Sequence, residues 1–261
     1  MPDIGGSYFN PTLINPIATV MRDSVGASGD SDDSYEFQAP YSGQIVITLN
    51  GLSADLDISL SEVYTEVAYS NNASVANELI VYNVVGGRWY YIDVYPFLSG
   101  VSNYNLSVAL DQTAPSGTSA VYRFRSETTG SYFYTTNSSE RNNLMLSTQT
   151  MMYEGPAFYV PTTATADTTQ VHRFFNTQTQ THFFTASAQE RTQIQSTLPH
   201  FRYEGVAFTA FTRDLGPQEE VYRFLNTRTG THLYTSSEQE RATILAGQPH
   251  IVLEGVAYWT A

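Results

Sequence analysis

The sequence predicts a mainly β chain: a β-sandwich followed by a threefold-repeat β domain, trefoil-like, with one short helix per repeat. Three observations carry that prediction: alternating apolar residues through the first 112 positions, sequence blocks that recur every 50 residues after position 120, and an uneven division of charge. Alternation sets one side of a strand against a core, and recurrence at a fixed period marks units that bury their apolar faces only by stacking.

In the first half, Ile45, Ile47 and Leu49 fall on one face of the run Gln44-Ile45-Val46-Ile47-Thr48-Leu49. Tyr104, Leu106, Val108 and Leu110 alternate in the same way, and Trp89-Tyr90-Tyr91-Ile92-Asp93-Val94 has the β-branched and aromatic content that strands favour. Gly51, Gly86-Gly87 and Ser99-Gly100 supply turns. About seven or eight short strands in roughly 100 residues is the density of a β-sandwich. The small-residue stretch 113–120, with Pro115 and Gly117, reads as a linker between residues 1–112 and 121–261.

The second half divides into repeats 121–170, 171–220 and 221–261. Val121-Tyr122-Arg123-Phe124 returns as Val171-His172-Arg173-Phe174 and Val221-Tyr222-Arg223-Phe224. Tyr132-Phe133-Tyr134-Thr135 returns as His182-Phe183-Phe184-Thr185 and His232-Leu233-Tyr234-Thr235. Glu140-Arg141, Glu190-Arg191 and Glu240-Arg241 keep the step, as do Tyr153-Glu154-Gly155, Tyr203-Glu204-Gly205 and Leu253-Glu254-Gly255. Each repeat reads as strand, turn, strand, short helix, strand. Asn137, Ser187 and Ser237 stand three residues before a Glu, the spacing of a capping box, so Glu140, Glu190 and Glu240 are expected to reach back to the cap. Another closed threefold β arrangement is the alternative to a trefoil.

Charge separates the halves further. Residues 1–112 hold 13 Asp and Glu against Arg22 and Arg88, and residues 113–261 hold 12 acidic residues against ten Arg. The chain has a net charge of −13, no Lys and no Cys. That balance argues against a nucleic-acid partner, which needs clustered cations, and the lack of Cys excludes disulfides, thiolate metal sites and a Cys nucleophile. No apolar run is long enough for a membrane span. Met1-Pro2-Asp3-Ile4 lacks the basic start and apolar stretch of a signal peptide, and the chain stops inside the apparent last strand, so it is expected to be part of a larger secreted polypeptide.

Both halves resemble known families. The segments from Gly29 to Phe37, Ala54 to Leu60 and Trp89 to Val94, with Tyr104-Asn105-Leu106, resemble the bacterial pre-peptidase C-terminal domain, a small β-sandwich appended to exported proteins. Residues 121–261 resemble an uncharacterised repeat domain of secreted bacterial hydrolases, with the pattern Tyr-Arg-Phe, His-Phe-Tyr-Thr and Tyr-Glu-Gly. Tyr132 replaces the His in the first copy, Gln180 the turn Gly in the second, and Leu233 and Leu253 aromatic residues in the third. The resemblance implies an accessory, surface- or glycan-binding role in a secreted or cell-surface protein.

Four sets of residues are candidate sites. Asp30, Asp32 and Asp33 offer the hard oxygen ligands of a calcium site, although Tyr35 stands where an EF-hand loop needs Gly. Tyr132, Tyr134, His182, Phe184, His232 and Tyr234 share one strand face, which is either a sugar-binding surface of rings and hydrogen-bonding groups or a second packed face. Arg141, Arg191 and Arg241 lie in a first helical turn, where the macrodipole disfavours a cation, so an ion pair or a ligand must favour them. Glu154, Glu204 and Glu254 are expected to pair with Arg123, Arg173 and Arg223.

No His-Glu-x-x-His helix, Gly-x-Ser-x-Gly elbow or phosphate loop is present, so the chain is expected not to be an enzyme. The expected partner is a glycan or cell-wall polysaccharide bound at up to three repeat-related sites. The alternative is a structural segment that positions a catalytic or adhesive domain.

Overall fold

The computed structural model of the 261-residue chain describes every residue except 1–4, 8, 28, 64, 99, 149 and 217. The amino-terminal tetrapeptide and part of the expected Ser99-Gly100 turn therefore lie outside the described residues. The protein is mainly β. It divides into two compact units, one of Met1–Thr113 with Ser139–Gly155 and one of Ala114–Ser138 with Pro156–Ala261.

The first unit contains β1 (Thr12–Leu13), β2 (Ala18–Val25), β3 (Asp33–Gln38), β4 (Gly43–Asn50), β5 (Leu56–Glu62), β6 (Thr65–Ser70), β7 (Glu78–Val84), β8 (Trp89–Pro96) and β9 (Ser102–Gln112). They form two sheets, ordered β1-β3-β8-β5-β6 and β2-β9-β4-β7. Ile45, Ile47 and Leu49 of β4 and Tyr104, Leu106, Val108 and Leu110 of β9 point inward as the alternation predicts. They meet Phe37, Ile58, Leu60 and Ile92 from the other sheet in one buried cluster. Each fully buried aliphatic or Phe side chain contributes about 1.5–3 kcal/mol, and this shared core holds the two sheets face to face.

The repeats supply β10 (Thr118–Ser126), β11 (Tyr132–Thr135), α1 (Ser138–Ser147) and β12 (Met151–Pro161); then β13 (Thr168–Asn176), β14 (Thr181–Thr185), α2 (Ala188–Thr197) and β15 (Phe201–Phe211); then β16 (Glu220–Asn226), β17 (Thr231–Thr235), α3 (Glu238–Gly247) and β18 (Ile251–Trp259). Two sheets result, ordered β11-β10-β12 and β14-β13-β15-β18-β16-β17, so the first strand of each repeat lies between the two that follow it.

Within the first unit, α1 is held by polar contacts. Arg141 is 1% exposed, donates to Gln44 Oε1 at 2.9 Å and lies 3.4 Å from Asp111 Oδ2. The Tyr153 hydroxyl also donates to Asp111, and the Asn77 amide donates to the Met145 and Thr148 carbonyls at 2.9 and 3.1 Å. Burial pushes the Asp111 carboxyl up to about 6, against the opposing pull of Tyr153 and Arg141.

One detail of the repeats corrects the sequence reading, and another shows how a departure from the repeat pattern is absorbed. Ser187 and Ser237 do cap α2 and α3, accepting from Glu190 N and Glu240 N at 3.1 and 3.2 Å. The reciprocal half of a capping box is filled otherwise: Thr185 Oγ1 and Thr235 Oγ1 each accept from the cap N–H at 3.0 Å. With that donor already satisfied, the two Glu carboxylates are released for other partners. Gln180 keeps the turn geometry of the Gly it replaces, with φ 57° against 67° for Gly130 and 70° for Gly230.

Candidate functional site

The site residues of the second unit are set by β-bulges in the closing strands of the second and third repeats. Arg173 pairs with Gly205 and Phe174 with Tyr203, so Glu204 is an extra, unmatched residue in β15. Glu254 occupies the same place in β18, between the pairs Arg223–Gly255 and Phe224–Leu253. An extra residue bends the strand and re-aims its side chain, and Gly205 and Gly255 take the required positive φ of 107° and 125°. The Glu204-Gly205 and Glu254-Gly255 steps are thus bulges that turn a carboxylate back onto the neighbouring Arg.

That Arg is doubly held. Arg223 Nε donates to Glu254 Oε2 at 2.7 Å, and its Nη1 donates to Glu190 Oε2 of the preceding repeat at 2.9 Å. Arg173 Nε lies 2.9 Å from Glu204 Oε2, and Arg123 Nη1 donates to Glu240 Oε2 at 2.9 Å. The expected Arg–Glu pairs within the second and third repeats are present. The Glu released from the helix caps adds a further pair between repeats. The carboxylates raise the Arg223 pKa against the opposing effect of its burial.

His182 Nε2 and His232 Nε2 lie 3.3 and 3.4 Å from Glu204 and Glu254. Each ring also stands edge-on to a ring of the preceding repeat, His182 against Phe133 and His232 against Phe183, both at 4.8 Å between centroids. Arg173 and Arg223 sit over the same Phe133 and Phe183, at 5.5 and 5.2 Å. Burial lowers the His232 pKa. Tyr132 is half-buried, with Arg123 over its ring at 5.5 Å.

Tyr134, Phe184 and Tyr234 are not on a ligand-facing surface. Each is 1% exposed, and the three rings meet edge to face with centroids 5.6–5.7 Å apart. The Tyr234 hydroxyl donates to Phe184 O at 2.6 Å and accepts from Phe184 N at 3.0 Å; the Tyr134 hydroxyl does the same for Tyr234 O and N, both at 2.9 Å. Phe158, Phe208 and Tyr258 form a second triad, 5.7–6.2 Å apart. The face shared with His182 and His232 is therefore packed along one edge, because these short strands turn their central rings toward one another.

The three helix Arg residues have separate fates. Arg141 is buried against Asp111, as described above. Arg191 Nη1 lies 3.3 Å from His172 Nε2, and His172 Nδ1 lies 2.9 Å from the Tyr203 hydroxyl. Arg241 donates to Glu238 at 2.9 Å and stacks 4.6 Å over Tyr222. Each of the three therefore has at least one partner outside its own helix, and Arg241 also has an ion pair within α3.

The Asp-rich stretch does not assemble a cation cage. Asp33 is 1% exposed and accepts from the Tyr104 hydroxyl at 2.6 Å, while Asp32 accepts from Ser31 Oγ at 2.7 Å. Among the described residues no group of three or more His, Asp or Glu side chains is placed to hold a metal ion. The residues present do not fit calcium, because the strand buries Asp33 away from Asp32.

A cleft of about 150 Å³ lies beside the doubly paired Arg223. Thr185, Ser187, Glu190, Arg223, Glu254 and Gly255 line it. Sequence reasoning missed it, since it forms from one repeat's helix start and the next repeat's bulge. The recurring Thr, Ser-x-x-Glu and Glu-Gly blocks were its signal. The cleft offers two carboxylates, a guanidinium and hydroxyls within one small volume, a donor and acceptor set suited to a hydroxyl-rich group.

Among the described residues no helix is long and apolar enough to cross a membrane. No curated protein matches the chain. Over 37% of its length the chain is similar, at 25% identity and a TM-score of 0.33, to the pre-peptidase C-terminal domain of the collagenase from Bacillus anthracis, 92% of which is covered. Over 38% of its length it is similar, at 11% identity and a TM-score of 0.30, to PliG of Aeromonas hydrophila, a periplasmic inhibitor of g-type lysozyme, 95% of which is covered. Residues 120–261, more than half of the chain, match the family described as Domain of unknown function (DUF5648), and the chain belongs to that family.

Proposed function

We propose that the protein is a secreted bacterial accessory protein that binds glycan or cell-envelope carbohydrate through its repeat half, without catalysis. The cleft beside Arg223 carries this reading, because charged and hydroxyl groups from two repeats converge there around a small open volume. Its two carboxylates are both bonded to one guanidinium, which suits fixed acceptors for sugar hydroxyls better than a proton-transferring pair. Arg123 has the between-repeat pair and Arg173 the within-repeat pair that Arg223 combines, which supports up to three related sites whose weak affinities would add by avidity on a dense surface. The repeats are read as a closed threefold, trefoil-like arrangement, a reading supported by the two ring triads. The first half, which by its sequence resembles the pre-peptidase C-terminal domain, serves as spacer.

Titration of the chain with purified cell-wall polysaccharide and simple sugars tests the proposal. Binding that weakens in Glu254→Gln is expected, and no binding to any sugar at millimolar concentration sinks it. A second reading is a structural segment positioning another domain of a larger secreted polypeptide. The engagement of the repeat Arg, Glu and His side chains in contacts between repeats favours it, and binding-null behaviour in an intact fold would select it.

A further inference from the structure

The outward face of sheet β1-β3-β8-β5-β6 carries chemistry unrelated to the repeat cleft. Tyr90, Ile92 and Val94 of β8 and Leu56, Ile58 and Leu60 of β5 point into the core. Alternation therefore puts Trp89, Tyr91, Asp93 and Tyr95 on the opposite side, with Asp57, Ser59 and Ser61 beside them. The register sets Asp57 opposite Tyr95, Ser59 opposite Asp93 and Ser61 opposite Tyr91 on one flank. On the other flank Ser34 faces Asp93, Glu36 faces Tyr91 and Gln38 faces Trp89. A column of three rings thus runs between rows of carboxylates and hydroxyls. Trp89 is 39% exposed, and Tyr91 and Tyr95 are half-buried. Along the strand Trp89 and Tyr91 are about 7 Å apart, and Tyr91 and Tyr95 about 13 Å.

Among the described residues, one carboxylate of this face, that of Asp57, accepts no hydrogen bond, and Asp57 is only 6% exposed. Burial, then the nearby Asp55, holds its carboxyl above the usual range. Asp93 is also raised by burial, although Ser34 Oγ donates to it. A largely buried carboxylate with no cation beside it is disfavoured, and a bound ammonium group would favour its charged form. The first half's two basic residues are Arg22 and Arg88, and Arg88 is paired with Glu62.

We propose that this face binds a glycan whose sugars carry free amino groups, the sugar faces stacking on Trp89, Tyr91 and Tyr95 and an ammonium group meeting Asp57 and Asp93. Aromatic rings at strand spacing present flat apolar surfaces to successive units of a polymer, and the flanking Ser and Asp side chains answer hydroxyl and ammonium groups. The acidity of the first half repels acidic polysaccharides and attracts a cationic one. A lysine-rich peptide would satisfy the carboxylates but leave the ring column without matching flat faces. The site is separate from the repeat cleft and does not depend on that reading.

The test titrates the full chain with a deacetylated chito-oligosaccharide, its acetylated counterpart and a lysine-rich peptide. The deacetylated sugar is expected to bind most tightly, Trp89→Ala to weaken it about tenfold, and Asp57→Asn to remove the preference over the acetylated form. Trp89 is a surface residue, and a melting curve matching that of the parent chain confirms that this variant is folded. Absence of binding at millimolar concentration overturns the proposal, as does binding of the peptide alone. Binding unchanged in Trp89→Ala but lost in Glu254→Gln also overturns it and assigns the ligand to the repeat cleft.

Discussion

Arg223 Nη1 and Glu190 Oε2, 2.9 Å apart, join the first strand of the third repeat to the first helical turn of the second. The Arg123–Glu240 pair joins the first repeat to the third in the same manner. Both pairs are partly shielded, with side-chain exposures of 20% and 32% for Arg223 and Glu190. Glu190→Ala is expected to lower stability by about 1.5–3 kcal/mol, the range for hydrogen bonds to charged groups. Denaturant titration of the single variants and of the double variant with Arg223→Ala checks this. Additive losses would show that the two side chains do not act as a pair.

Tyr234→Phe removes a hydroxyl that satisfies both the N–H and the carbonyl of Phe184 inside the core. Each buried group left unsatisfied costs about 1–3 kcal/mol. The melting temperature is expected to fall by several degrees, and Tyr134→Phe to behave alike through Tyr234. An unchanged melting temperature in both variants would refute the bridging role of the hydroxyls.

Thr185→Val takes away the acceptor of the Ser187 N–H while leaving the Ser187 side-chain cap in place. A loss of about 1 kcal/mol is expected, comparable to that of Ser187→Ala. If the Glu190 carboxylate instead filled the cap in the native chain, Thr185→Val would be silent by the same denaturant measurement.

Gln180→Gly is expected to raise stability by about 0.5–1 kcal/mol, since Gln180 holds a left-handed φ of 57° that Gly adopts freely. The gain is partly offset by loss of the Gln180 side-chain bond to Thr177 O. A lowered melting temperature would show that this bond outweighs the backbone term.

The two units are expected to answer acid in opposite directions. Burial holds Asp57, Glu78, Asp93 and Asp111 above the usual carboxylate range, Asp111 at about 6. These groups bind protons in the folded state more readily than in the unfolded chain. The stability they contribute is present at low pH and lost as pH rises through their folded values. Burial instead lowers the His172 and His232 pKa values, so their contribution is present above about 6.5 and lost as pH falls through the folded values. Hydrogen exchange at pH 7 and pH 5 should show protection rising in β4 and β9 and falling in β13 and β16. A shift of the same sign in both sets would refute it.

The strands of the first half were legible because alternation reports burial directly: Ile45, Ile47 and Leu49 are fully buried. The bulges were not, although Glu204-Gly205 and Glu254-Gly255 spelled them, because an unmatched residue shows only against its partner strand. The His and Tyr positions of the repeats shared a face in the sequence, yet His232 is only partly buried while Tyr234 lies in the core. Strand periodicity fixes the side of a residue and not its depth.

The sequence by itself determined the 50-residue period, the strand and helix order within it, the Arg–Glu pairing within the second and third repeats and the acidity of the first half. Only the tertiary structure decided which repeat each Glu serves, which rings are core and where an open cleft forms. These depend on contacts between segments dozens of residues apart, made through side chains whose local sequence is the same whether they meet a neighbour or water.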